Sequence, residues 1–132
     1  MLVVETIRNK MLEQLTSALV HSSAAKVIKF LDNDNEVLGQ VPFTSISKVS
    51  ISDSASLYAF KSGASSTLSF VSKAGVVSRF AIDGYLDVGG HISEAISGTM
   101  GGISSTADVK INKTTWDDGL IVTITNFTLV LK

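Results

Sequence analysis

Residues 107–132 read ADVKINKTTWDDGLIVTITNFTLVLK, and the way this stretch alternates decides the fold. Val109 and Ile111 alternate with Asp108, Lys110 and Asn112, as in a strand with one wet face, and WDDG supplies turn chemistry. From Leu120 a second strand begins. Ile121, Phe127, Leu129 and Leu131 share one phase, while Val122, Ile124 and Val130 share the other. A strict period of two therefore breaks near Thr125 and Asn126, which predicts a bulge or a change of neighbour there. Both faces carry apolar side chains, so the sequence predicts a closing hairpin whose last strand is central and covered on its outer side. The threonines, asparagines and aspartates are the solvent half of strands, and no cluster among them demands chemistry.

Upstream, one segment follows the other period. Over Glu5–Val20, Ile7, Met11, Leu15 and Ala18 or Leu19 recur at steps of three and four, with Lys10, Glu13 and Gln14 turned away. Thr6 is placed to cap this helix, with Asn9 three positions on. No glycine or proline interrupts it. A single apolar stripe does not stabilise a four-turn helix in water, so it must lie on a sheet or on a neighbouring chain. HSSAA, residues 21–25, is its exit.

Between the two ends the period is that of strands. KVIKFL (26–31) and VLGQVPF (37–43) flank the polar turn DNDNE (32–36) as a short hairpin, with Pro42 at an edge or a strand end. In TSISKVSISD (44–53), Val49 and Ile51 are in step and Ile46 is not, predicting a bulge near Ser47 and Lys48. SLYAF (56–60) and a KSGASS turn (61–66) follow. TLSFVSKAGVVSRFAIDG (67–84) reads as a hairpin with Leu68 and Phe70 on one face, a turn at 73–75, and Val77 and Phe80 on the return. DVGGHISEAISGTMGGISSTAD (87–108) is glycine-rich and reads as a loop with one turn of helix or a short strand. The expected fold is mainly β: an antiparallel β-sandwich, jelly-roll-like or a partly open barrel, with one N-terminal amphipathic helix. Residues 1–25 form the helix and its exit, and 26–132 a single β domain.

Composition narrows the function classes. At 132 residues the chain has the size of one domain with a genuine core. Only 17% of residues are charged against 45% hydrophobic, and the mean hydropathy is +0.34. Much of the surface is thus serine, threonine and glycine, or is covered by another protein. The net charge of -1 gives no general attraction to nucleic acid or anionic lipid. There is no cysteine, hence no disulfide, thiolate ligand or cysteine nucleophile. The first residues make a poor signal peptide, and no apolar run is long enough to span a membrane.

Candidate sites are few. His21 and His91 are the only imidazoles, and their separation matches no metal-ligand spacing. His91 and Glu94 would be neighbours on a helical turn, where either is a possible base. DNDNE lacks the glycine and twelfth-position glutamate of a calcium loop and reads as a turn held by its own side chains. The glycines of GTMGG lack the lysine of a phosphate loop. Lys61, Lys73 and Arg79 near Tyr58, Phe70 and Phe80 are the nearest approach to a nucleic-acid patch, but the aromatics sit where core residues sit. Trp116, beside Asp117 and Asp118, either caps one end of the sandwich or anchors a partner.

The opening ETIRNKMLEQLTSAL is similar to the R-N-x-M-L-x-x-L start of a family of small tailed-bacteriophage proteins. SGTMGGISSTADVKINKTTWDDGLIVTITNFTLVL resembles that family's glycine-rich turn, polar strand, short turn and final V-x-V-x-S-F-T-x-T strand, here Val122, Ile124, Asn126, Phe127 and Thr128. TLSFVSKAGVV resembles its aromatic hairpin, with residues 73–75 in place of a D-x-x-G turn. The stretch 32–60 departs most from the family. The resemblance implies a virion structural or virion-associated protein of the head surface, neck or tail, made in the host cytoplasm. It implies partners among other phage virion proteins and copies of itself, and carries over no catalytic residue and no cofactor.

The expected function is therefore structural, without enzymatic activity, nucleic acid or membrane. The interface candidates are Trp116, Asp117 and Asp118 at the turn and Ile7, Met11 and Leu15 on the helix. A carbohydrate- or receptor-binding sandwich, as in a fibre or adhesin, is the alternative and needs an exposed aromatic ring near carboxylates.

Overall fold

A computed structural model of the chain describes residues 4–51 and 56–131. Among these residues one helix, α1 (Glu5–Leu19), precedes twelve strands. These are β1 (Val27–Leu31), β2 (Val37–Pro42), β3 (Ser45–Ile51), β4 (Ser56–Lys61), β5 (Leu68–Val71) and β6 (Gly75–Val76). The second half supplies β7 (Arg79–Leu86), β8 (Gly90–Gly101), β9 (Val109–Lys110), β10 (Thr115–Trp116), β11 (Ile121–Ile124) and β12 (Phe127–Leu131). The protein is mainly β, a curled antiparallel sandwich with one N-terminal helix.

The largest sheet has the order β2-β1-β7-β8-β9, and a three-stranded sheet has the order β12-β4-β3. Two short ladders, β11-β5 and β10-β6, complete the second layer. Among the described residues the strand pairings are antiparallel except β8 with β9. Pro42 ends β2, an edge strand, where its missing donor is harmless. DNDNE turns β1 into β2 as expected: Asp32 Oδ1 accepts the N–H groups of Asp34 and Glu36, each at 2.9 Å. Register slips between Lys48 and Ser50, one residue beyond the bulge read from the sequence.

Three pairings differ from expectation. The 67–84 stretch is not a hairpin, because β5 pairs with β11 while β7 joins β1 and β8 in the other layer. The closing hairpin is absent too: β9 lies on β8, β10 on β6, β11 on β5 and β12 on β4. The last strand is therefore not central. It is two edge strands, and the phase break at Thr125 and Asn126 is the point where the chain leaves β5 for β4. The glycine-rich segment carries a strand rather than a helical turn, and the strand is long: β8, the longest of the described ones, with turns before and after it. Its Gly98 is an adaptation to packing, since a Cβ there would stand 2.7 Å from the Phe80 ring.

Between the layers all six phenylalanines and the single tryptophan form one connected aromatic core. Phe127 meets Phe30, Phe60 and Phe80 edge-on at 6.1, 5.4 and 5.4 Å. Phe30 stacks on Phe70 at 5.0 Å, and Trp116 packs edge-on against both. Edge-to-face and offset geometries of this kind add to the burial of the rings themselves.

The helix lies on β7 through its later turns. Leu12, Ala18 and Leu19 are buried and Leu15 is half-buried. Gly84 of β7 lets the helix approach, a Cβ there meeting Ala18 O at 3.4 Å. The buried stripe is thus rotated and shifted toward the C-terminus relative to the expected one. Ile7 and Met11, read as the start of a stripe that lies on a sheet or on a neighbouring chain, are 55% and 59% exposed. Thr6 does not cap the helix: Val4 holds the N-cap position with no side-chain hydrogen bond. Packing of the later turns, rather than a cap, fixes the helix.

Candidate functional site

Two surface features gather the groups able to contact another molecule. The first is a polar cluster on the solvent side of β1, β7 and β8. Between the pairs Ile82↔Ile96 and Gly84↔Ile92 the ladder slips, leaving Ser93, Glu94 and Ala95 opposite Asp83. Glu94 occupies the left-handed region at φ 48, uncommon for a side-chain-bearing residue. Asp83 Oδ1 accepts the Glu94 backbone N–H at 2.9 Å, pinning the bulge. Asp83 Oδ2 lies 2.9 Å from His91 Nε2 and 3.5 Å from Lys29 Nζ. Arg79 donates to Glu94 Oε1 at 2.6 Å and to Asn35 Oδ1 at 2.8 Å.

Burial by itself would raise the Asp83 pKa. The Glu94 N–H, the His91 ring and the Lys29 ammonium together outweigh it and hold the carboxyl below its ordinary range. Beside the cluster is an open hollow of about 330 Å³ with Arg79, Asp83, Ser93 and Glu94 on its walls. His91 and Glu94 were expected on a helical turn; they lie instead on a bulged strand, where the His91 ring and the Glu94 backbone N–H each bond Asp83. The pattern RFAIDGYL carried a partial signal, since a glycine within a strand marks bulges or close approach. Nothing local announced that Lys29, from the first strand, would join them. His21 stands apart: its Nδ1 accepts from Ser23 N–H, its Nε2 faces Asp87 at 2.7 Å, and its ring lies on Tyr85.

The second feature is an open seam between the layers. The large sheet ends at β9, and the ladder β11-β5 ends at β11. Between the segment 110–113 and the strand edge 120–126 runs a groove of about 370 Å³, with Trp116 in its lining. Ile111, Leu120, Val122 and Ile124 are half-buried against the core, whereas Lys110, Lys113 and Thr123 are exposed. Gly119, at φ 80, starts the edge with a glycine bulge. Its N–H donates to Ser72 O at 2.9 Å, and Ser72 N–H donates to Leu120 O at 2.8 Å. Bonding alternates along an antiparallel ladder, so Val122 and Ile124 face β5 with their backbone groups while Ile121 and Thr123 direct theirs into the seam. The side-chain contact between Ser69 and Thr123 hydroxyls at 3.1 Å fits this phase, as non-bonded pairs bring side chains closer.

The expected interface residues are distributed unequally. Trp116 is 2% exposed and its Nε1–H donates to Lys113 O at 2.9 Å, so the indole is a core group and its face is not open to a sugar or a partner anchor. Asp117 and Asp118 are exposed on the turn, which is closed by Leu120 N–H to Asp117 O at 3.2 Å. Ile7 and Met11 are exposed and Leu15 is half-buried. In the suggested basic patch Phe70 and Phe80 are buried and Arg79 is ion-paired. Among the described residues, no group of three or more histidines and acids is placed to hold a metal ion, and no helix is long and apolar enough to cross a membrane.

No family model, no curated protein and no solved structure matches this chain.

Proposed function

We propose that the protein is a structural subunit that works through protein–protein contacts, and that its setting is the particle of a tailed bacteriophage, at the head surface, neck or tail. The observation that carries the contact role is the divided helix. Its later turns are buried on β7, while Val4, Ile7 and Met11 form an exposed apolar stripe at steps of three and four. Isolated exposed hydrophobics are ordinary, but an aligned set on one helix face suits a second surface. Lys10 borders the stripe, and its ion pair with Glu13 at 3.5 Å lies on the side of the helix turned away from it. An apolar stripe on one helix can pack antiparallel about a two-fold axis against the same stripe of a second copy, burying both. The occupant of the stripe is accordingly a second copy of this chain. The phage setting rests on the resemblance of the opening helix and the closing strands.

The test is direct. Intact particles are purified from lysates of the source, digested, and the peptides of this chain counted against the major shell protein, with cross-linking in parallel. A fixed ratio to the shell or to the portal, with cross-links through Lys10, is the expected result. Absence of the chain from purified particles would remove the phage setting.

A further inference from the structure

The geometry points to the seam between β9 and β11 as a docking groove for an extended, acidic segment of a partner protein, which would add itself as a strand to the free edge of β11. The inference rests on the reading of this chain as a contact protein and names a partner class for a surface other than the helix.

Three observations converge. First, among the described residues β11 pairs with β5 alone, and ladder alternation turns the N–H and C=O groups of Ile121 and Thr123 toward the seam. A row of free backbone groups is what strand addition uses for affinity. Second, the edge is unguarded. Natural edges are blunted by charge, proline or covering loops, yet Leu120–Asn126 contains no charged residue and no proline, and the segment 110–113 faces it across the groove. Third, the charged residues that line the groove are both lysines, the exposed Asp117 and Asp118 standing on the turn ahead of Leu120. Lys110 and Lys113 are exposed on the facing wall, and among the described residues no aspartate or glutamate lines the groove.

A strand laid along β11 would point alternate side chains to opposite sides. One set would meet the apolar floor of Ile111, Val122 and Ile124. The other would lie along the rim, where a carboxylate can reach Lys110 or Lys113. The partner segment is thus one that alternates aliphatic with acidic residues over about the four-residue length of β11. A basic or uniformly apolar segment would lack the rim contacts.

The experiment titrates isotope-labelled full-length protein with short synthetic peptides and follows its amide signals. The probes are a six-residue peptide alternating valine with glutamate, its valine–lysine counterpart, and the valine–glutamate peptide with every second amide N-methylated on the edge-facing side. The expected result is saturable shifts and slowed hydrogen exchange at Ile121 and Thr123 with the glutamate peptide, binding about ten-fold or more weaker with the lysine peptide, and loss of binding on N-methylation. The double variant Lys110→Glu, Lys113→Glu should reverse the charge preference; both positions are exposed, and a circular dichroism spectrum confirms that it folds. Equal binding of the two peptides, no binding, or protection away from β11 would overturn the inference. So would protection of Ile121 and Thr123 that rises with protein concentration without peptide, since a second copy would then occupy the edge. Sedimentation of the same samples separates failure of this groove from failure of helix-mediated self-association.

Discussion

Gly39 of β2 lies directly against the ring of Phe70 of β5: a Cβ at Gly39 would stand 2.3 Å from Phe70 Cε2 and 2.5 Å from Cδ2. Two strands from different layers are thereby locked at a point where a single methyl group has no room. Phe70 cannot swing away, being stacked on Phe30 at 5.0 Å and edged by Trp116 at 5.4 Å. Gly39→Ala should therefore destabilise the fold by about 1–3 kcal/mol, the usual cost of overpacking. Urea unfolding should show a lower midpoint with an unchanged slope. Gly102→Ala, where nothing lies within 4 Å, is the control and should leave the midpoint where it was.

Trp116 joins the two layers at the floor of the seam and satisfies its one donor on Lys113 O. Trp116→Ala should cost about 3–5 kcal/mol, the range for deleting a buried aromatic side chain. Trp116→Phe should cost less, because it keeps most of the ring volume and loses the hydrogen bond to Lys113. As the only tryptophan, Trp116 also reports on unfolding: native emission should lie at short wavelength and shift red in step with the loss of β-sheet signal.

The Asp83 carboxyl gives a pH dependence with a definite sign. Its pKa is lowered in the folded chain, since the Glu94 N–H, His91 and Lys29 prevail over burial. A depressed acid contributes stability that is complete above its unfolded pKa, about 3.9, and is lost as pH falls through the folded value. Arg79 and Glu94, paired with each other beside it, are the other charged groups of the cluster. Asp83→Asn should lower stability at neutral pH, and the gap between variant and native protein should close as pH drops below about 4. Parallel curves over that range would mean that the carboxylate is not what holds the bulge.

How much of this was written locally differs from element to element. Leu68 and Phe70, or Ile28 and Phe30, declare their buried faces by alternation, and the phase break at Thr125–Asn126 marks the change from β5 to β4. Pairing is another matter, because two strands adjacent in sequence need not be neighbours in a sandwich with crossing connections. Hence WDDG turns the chain without making a hairpin. β8 was hidden because its glycines argue for loop on propensity, whereas Gly98 makes room for Phe80. The Asp83 cluster was hidden because its members come from three strands and meet only through a slipped ladder. For the helix, periodicity found the element but misplaced its buried stripe, because only the later turns reach Gly84.

That last difference yields the final prediction. If the outer stripe of α1 holds two copies together, Ile7→Ser with Met11→Ser should shift the sedimentation equilibrium toward monomer while leaving the unfolding free energy of the monomer within about 0.5 kcal/mol, as for exposed positions generally. Leu19→Ala, on the buried side, should do the reverse. It should cost about 2–5 kcal/mol of stability and leave association unchanged at temperatures where the chain remains folded. The contrast matters because both pairs of effects come from one helix. A protein that stays monomeric at all concentrations, or an Ile7→Ser, Met11→Ser variant that associates as the native chain does, would show that the exposed stripe is not a contact between copies.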